Sequence, residues 1–128
     1  MSVVVGFIPP PVGFAALEAA SAEAGRRGGP LVVANIVRPG DDGDVRHARP
    51  DQLEEARERL RRSAPVRVDV RQVSTEGSIA DALVRLVDEE RAELLVIGIR
   101  RGEGEMRHLI GTTAQKLLAD AACDVLVV

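Results

Sequence analysis

Five short apolar segments alternate with longer segments that have helical periodicity. Segments 2–7, 31–37, 66–73, 93–99 and 124–128 are rich in valine, isoleucine and leucine, which favour β-strands. The segments between them, 13–27, 51–62, 78–92 and 112–122, place apolar residues at helical spacing. This alternation predicts an α/β fold, with a five-stranded parallel sheet joined by crossovers and sandwiched by four helices.

Local signals mark the ends of three of these helices. Asp51, followed by Glu54 three residues later, has the spacing of a capping box and predicts the start of the second helix. Ser78 is the predicted cap of the third helix. Gly28 and Gly29, followed by Pro30, predict the end of the first helix.

The polarity of each strand indicates its place in the sheet. Segment 66–73 alternates valines with charged residues, which is typical of a half-exposed edge strand. Segments 2–7, 31–37 and 93–99 are almost continuously apolar and are therefore expected to be central. We expect the order 3-2-1-4-5, in one domain that spans residues 1–128.

The last strand is an apolar edge. An exposed apolar edge associates readily with another strand unless something covers it. Pairing with the same strand of a second copy would cover it, so we expect a homodimer. The expected interface residues are Asp124, Val125, Leu126, Val127 and Val128.

Composition excludes several classes of function. A net charge of −3 and an aromatic content of 2% argue against nucleic-acid binding. Cys123 is the single cysteine, which excludes an intramolecular disulfide and a zinc cluster. No apolar run approaches the length of a membrane span, and no signal-peptide pattern occurs near the first residue. We expect a cytoplasmic protein that binds neither membranes nor nucleic acid.

A ligand site is expected where the strand order reverses, outside the carboxyl ends of strands 1 and 4. The amino end of the fourth helix points to this place, and its free N–H groups and dipole suit a phosphate. Capping of the helix by glycine and threonine is the alternative interpretation of the same residues. The candidate residues are Phe7, Ile8, Pro9, Asn35, Ile36, Val37, Gly98, Arg100, Arg101, Gly102, Gly111, Thr112 and Thr113.

Two stretches resemble the universal stress protein family. They are "VSTEGSIADALVRLVDEERAELLVIG" at 73–98 and "IGTTAQKLLADAACDVLVV" at 110–128, and the likeness extends over essentially the whole chain. The resemblance implies a Rossmann-like fold of the adenine-nucleotide-hydrolase type and a role in the stress response. It also implies action by binding, of ATP or of protein partners.

The family's nucleotide-binding members carry G-x-x-G, nine residues and then G-[ST], with an aspartate just after strand 1. Gly98, Gly111 and Thr112 match this pattern, but Arg101 replaces the second glycine and Ile8 replaces the aspartate. Arg101 adds a side chain where a glycine lets the backbone approach a phosphate, although a guanidinium can itself bind one. Ile8 cannot accept a hydrogen bond.

Three interpretations of the function follow and remain open. The first is binding of ATP, with magnesium, or of another adenine nucleotide at the strand 1/strand 4 site. The second is a dimeric regulatory or interaction module without nucleotide, which Ile8 and Arg101 favour. The third is slow ATP hydrolysis, against which the missing aspartate argues. The sequence indicates no catalytic residue and no metal ligands.

Overall fold

The computed structural model describes residues 2–9, 12–40, 43–44, 46–64, 66–98 and 112–128. Strands and helices alternate along the chain as the hydrophobic pattern predicts. The strands are β1 (Ser2–Gly6), β2 (Leu31–Val37), β3 (Val68–Ser74), β4 (Ala92–Ile97) and β5 (Asp124–Val127). The helices are α1 (Val12–Arg27), α2 (Pro50–Ser63), α3 (Ile79–Glu89) and α4 (Thr112–Asp120).

The five strands form one parallel sheet in the order β3-β2-β1-β4-β5, which confirms the predicted topology. Side chains of successive strand residues point to opposite faces, so each face has its own apolar core. Val3 and Val5 of β1 pack in the core below α1 and α2. Val4 packs in the core below α3 and α4.

The burial of the strands agrees with their predicted central or edge positions in the sheet. Every residue of β2 is buried, whereas Val70 is the one buried residue of β3 and the other six are half-buried or exposed. The side chains of β5 are exposed at Asp124 and half-buried at the next three residues. The third strand begins at Val68 rather than at residue 66 as predicted.

The helix ends confirm two of the predicted signals and correct one. Ser78 Oγ accepts a hydrogen bond from the Asp81 N–H at 3.0 Å, and α1 ends before Gly28, which has a φ of 69°. The prediction that Asp51 caps α2 is wrong. The helix begins at Pro50, since proline lacks an N–H and suits the first helical position.

The first turn of α1 lies directly against the end of β1. A Cβ atom on Gly13 would lie 1.7 Å from the Ile8 carbonyl oxygen and 2.7 Å from Cε1 of Phe7. Real Cβ atoms do not approach other atoms so closely, so only glycine permits this contact. Gly13 therefore lets α1 start close to β1 and helps to fix where the Ile8 main chain lies.

No helix in the described part of the chain is long and apolar enough to cross a membrane.

Candidate functional site

The strand order reverses between β1 and β4. Gly6 at the end of β1 pairs with Ala34 of β2 on one side and with Ile97 of β4 on the other. From β1 the chain continues through α1 to β2, and from β4 it continues through α4 to β5, so the two connections leave in opposite directions. In sheets of this kind, the divergence leaves a crevice outside the carboxyl ends of the two strands.

Predicted site residues flank this crevice. Phe7 is buried in the core, while Ile8 and Pro9, which follow it, are half-buried. Gly98 follows β4 and is also half-buried. Because α4 leads from the carboxyl end of β4 to the start of the parallel strand β5, its first residue, Thr112, lies towards the carboxyl ends of the strands. Thr112 is exposed.

Part of the predicted phosphate loop lies outside the described residues. The segment between Gly98 and Thr112 contains Arg100, Arg101, Gly102 and Gly111, and the structure does not describe these residues. Thr113, in the first turn of α4, is half-buried. The glycine motif and its arginine replacement therefore remain predictions from the sequence.

Asn35 is a fully buried polar residue in β2, and its side-chain amide uses all of its hydrogen-bonding capacity. Nδ2 donates to the carbonyl oxygens of Phe7 and Arg46, both at 2.8 Å. Oδ1 accepts from the Ala48 N–H at 3.1 Å and from Nε2 of Gln72 at 3.0 Å. The amide thus joins β1, β2, β3 and the segment before α2.

The carboxyl end of β2 is covered by this segment. Nε2 of Gln72 also donates to the Ala48 carbonyl oxygen at 2.9 Å, which holds the segment against β3. The crevice left between Ile36, Val37, His47 and Ile79 has a volume of about 10 Å³. That is room for about one water molecule.

A salt bridge within the covering segment orders its main chain. The Arg46 guanidinium donates to both carboxylate oxygens of Asp44, at 3.1 and 2.9 Å, and the Arg46 N–H donates to Oδ1 at 2.8 Å. These hydrogen bonds hold the pKa of the Asp44 carboxyl well below its ordinary value. The carboxylate is therefore ionised across the physiological range.

An ion pair joins the first turn of α3 to the second turn of α4. Lys116 Nζ lies 2.8 Å from Oδ1 of Asp81, which raises the pKa of Lys116 and lowers that of Asp81. Both side chains are about half exposed, so solvent screens the interaction and it contributes little stability. The relative position of α3 and α4 depends instead on the apolar residues that the two helices share in one core, such as Leu83 and Leu117.

Comparison with known proteins identifies the family. A sequence model of the universal stress protein family matches residues 1–128. The chain belongs to the universal stress protein family. A universal stress protein from Mycolicibacterium smegmatis is 35% identical over 127 residues, which cover 98% of this chain and 95% of the relative.

Solved structures of universal stress proteins share the fold. A crystal structure of a universal stress protein in complex with cAMP is 27% identical, with a TM-score of 0.78, and the match covers 100% of this chain and 95% of that one. A universal stress protein from Archaeoglobus fulgidus is 22% identical, with a TM-score of 0.81, and covers 99% of this chain and 92% of its own. The latter similarity concerns the fold alone.

This universal stress protein has an apolar residue after β1. The Ile8 side chain offers no hydrogen-bonding atom at the crevice, and only its main chain can make polar contacts there. Within the described residues, no group of three or more His, Cys, Asp or Glu side chains is placed to hold a metal ion. Polar recognition from the described part of the site therefore depends on main-chain groups and on Thr112 and Thr113.

The sequence signalled Asn35 but not its partners. Asn35 is a polar residue within the apolar run of β2 and is one of the predicted site residues, and the structure shows its amide hydrogen-bonded to the segment before α2. Gln72 is 37 residues away in the chain, and nothing in its local sequence indicates the contact. The Lys116–Asp81 pair was missed for the same reason.

We expect replacement of Asn35 by leucine, which has a similar volume, to lower the free energy of unfolding by about 3 kcal/mol or more. The substitution leaves the Phe7 carbonyl and the Ala48 N–H without their partner, and each buried unpaired group costs about 1–3 kcal/mol. Gln72→Ala, which leaves three of the four Asn35 hydrogen bonds in place, is the control and should cost about 1 kcal/mol. Urea denaturation measures both, and an Asn35→Leu variant as stable as the control would contradict this role.

Proposed function

We propose that this universal stress protein binds one adenine nucleotide per subunit in the crevice outside β1 and β4. The observation that carries the proposal is the reversal of strand order at Gly6 and Ile97, together with the amino end of α4 towards the carboxyl ends of these strands. A relative of 27% identity over the whole chain forms a complex with cAMP, which supports an adenine nucleotide as the ligand.

The residues around the crevice favour a nucleotide with a single phosphate over Mg·ATP. In cAMP the 3′ and 5′ oxygens are esterified to one phosphate, so the molecule carries one negative charge and only the 2′-hydroxyl of the ribose is free. Ile8 supplies no acceptor for ribose hydroxyls, and cAMP leaves fewer of them unpaired than ATP does. A single phosphate is also matched by a single helix amino end.

The segment between β4 and α4 carries charges of both signs. Glu103 and Glu105 add two carboxylates beside the glycine motif, whereas Arg100, Arg101 and Arg107 add three guanidinium groups. Carboxylates repel a phosphate and guanidinium groups attract one, so the charge of this segment does not decide between a triphosphate and a cyclic monophosphate. The preference therefore rests on Ile8 and on the single helix amino end.

We expect isothermal titration calorimetry to show one cAMP bound per subunit, with Mg·ATP bound at least about tenfold more weakly, which corresponds to about 1.4 kcal/mol. Ile8→Asp supplies the missing acceptor and should lower the ratio of the dissociation constants, Mg·ATP to cAMP, by about tenfold. Ile8→Val should leave this ratio unchanged. Tighter binding of Mg·ATP by the unaltered protein would contradict the preference. Binding of neither nucleotide would reject the proposal in favour of an interaction module.

We also propose that two copies associate through β5. The Val128 N–H donates to the Ile97 carbonyl oxygen at 2.9 Å, so alternate residues of β5 direct their main chain to β4. The main-chain groups of Val125 and Val127 consequently point away from the sheet. Their half-buried, apolar side chains favour a partner strand over water.

A two-fold axis beside β5 would place the two copies of the strand antiparallel. Both sheets of five strands would then form one continuous sheet of ten, with the β5 main-chain groups paired across the axis. Such an interface is isologous, which means that it closes after two subunits. The crevice outside β1 and β4 stays separate from this interface, because β5 lies between β4 and the axis in each subunit.

We expect Val127→Pro to convert the dimer to a monomer. Proline removes an outward N–H of β5 and puts its ring in the way of a partner strand, while the hydrogen bonds between β4 and β5 remain. Ser74→Pro, which removes an outward N–H of β3, is the matched control and should remain dimeric. Size-exclusion chromatography with light scattering measures both masses, and a Val127→Pro dimer would contradict the interface.

A further inference from the structure

The second edge strand of the sheet is β3, and a side chain occupies one of its outward-pointing main-chain groups. The Arg67 carbonyl oxygen accepts from the Leu31 N–H, and the Thr75 N–H donates to the Val37 carbonyl oxygen, both at 2.8 Å. Odd-numbered residues of β3 are therefore turned towards β2. By alternation, the main-chain groups of Val70 point away from the sheet, midway along its open edge.

Arg57 of α2 reaches this outward carbonyl. Its Nη2 donates to the Val70 carbonyl oxygen at 3.2 Å, while Nη1 lies 2.7 Å from a carboxylate oxygen of Glu54, one turn earlier in the helix. The guanidinium is thus held from both sides, by its own helix and by the strand. An approaching strand would have to displace it before pairing with Val70.

Charged side chains line the same edge on the other face of the sheet. Arg71 contacts Asp69 in β3, and its Nη1 lies 3.0 Å from Oε1 of Glu90, which follows α3. A second strand beside β3 would take water away from these partly exposed charges. Charges on an edge strand are a common barrier to edge-to-edge association.

The β5 edge has no equivalent barrier. The side chains of Val125 and Val127 are apolar and half-buried, so they bring neither a charge nor a hydrogen-bonding group to the β5 edge. Asp124 is the only charged residue of β5, and it lies at the start of the strand. One edge is therefore open to a strand, and the other is occupied by a guanidinium.

We propose that Arg57 closes the β3 edge and thereby limits assembly to two subunits. The limit to two rests on the β5 dimer proposed above, which leaves a β3 strand at each outer edge of the continuous sheet. If both outer edges could pair, dimers would join end to end into open chains rather than closed assemblies. Arg57 prevents this by occupying the central carbonyl of the edge.

The chain provides a matched control for Arg57. Arg61 lies one turn later in α2 and pairs with Glu58 at 3.2 Å, as Arg57 pairs with Glu54. The Arg57 side chain is 43% exposed and the Arg61 side chain 65%, and removal of either one changes the net charge equally. Only Arg57 donates to the sheet edge.

The test compares Arg57→Ala with Arg61→Ala by analytical ultracentrifugation over a range of protein concentrations. We expect Arg57→Ala to form species larger than the dimer at a concentration at least about tenfold lower than the unaltered protein does, which is about 1.4 kcal/mol of association. Arg61→Ala should behave as the unaltered protein. Identical behaviour of the two variants would overturn the proposal, provided that circular dichroism shows both to be folded.

Addition of Val127→Pro separates this proposal from that of the β5 dimer. With β5 blocked, the Arg57→Ala variant should form dimers and nothing larger, since only the β3 edge remains. If the unaltered protein proves to be monomeric, the β5 dimer is rejected, and self-association of Arg57→Ala alone still supports closure of β3. A double variant that stays monomeric at all concentrations would reject closure by Arg57.

Discussion

The four hydrogen bonds of the buried Asn35 amide hold together the parts of the protein that surround the candidate site. They connect the end of β1 to β2, β2 to β3, and all three to the segment before α2. A buried amide with every group paired favours one arrangement, because any other leaves polar atoms unpaired. This tie holds the segment before α2 over the carboxyl end of β2, beside the crevice that we propose as the ligand site.

The close approach of α1 to β1 adds a second constraint at the carboxyl ends of the strands. Because Gly13 has no side chain, the first turn of α1 rests on the Ile8 carbonyl, and Phe7 is buried beneath it. Ile8 is therefore placed by its neighbours at the crevice, where it contributes an apolar side chain. The two edge strands of the sheet also differ from each other. Charged side chains lie along β3, whereas β5 has apolar, half-buried side chains after Asp124.

Much of the fold was predictable because it depends on local patterns. The alternation of valine with charged residues in segment 66–73 identified an edge strand, and Ser78 identified a helix start. The start of α2 was mispredicted, because the Asp51 and Glu54 spacing is only a local signal and Pro50 suits the first helical position better. Contacts such as Arg57 with Val70 join separate elements, and no spacing in the sequence encodes them.

The central claim is that an adenine nucleotide binds outside β1 and β4, and its location can be measured directly by amide NMR during a titration with cAMP. The account predicts that the largest chemical-shift changes occur at Ile8, Gly98 and Thr113, with small changes at Val37 and Thr75. The latter two lie at the end of β2 and just after β3, beside the region that the Asn35 tie covers. Changes concentrated at Val37 and Thr75, or absent throughout at saturating cAMP, would contradict the account.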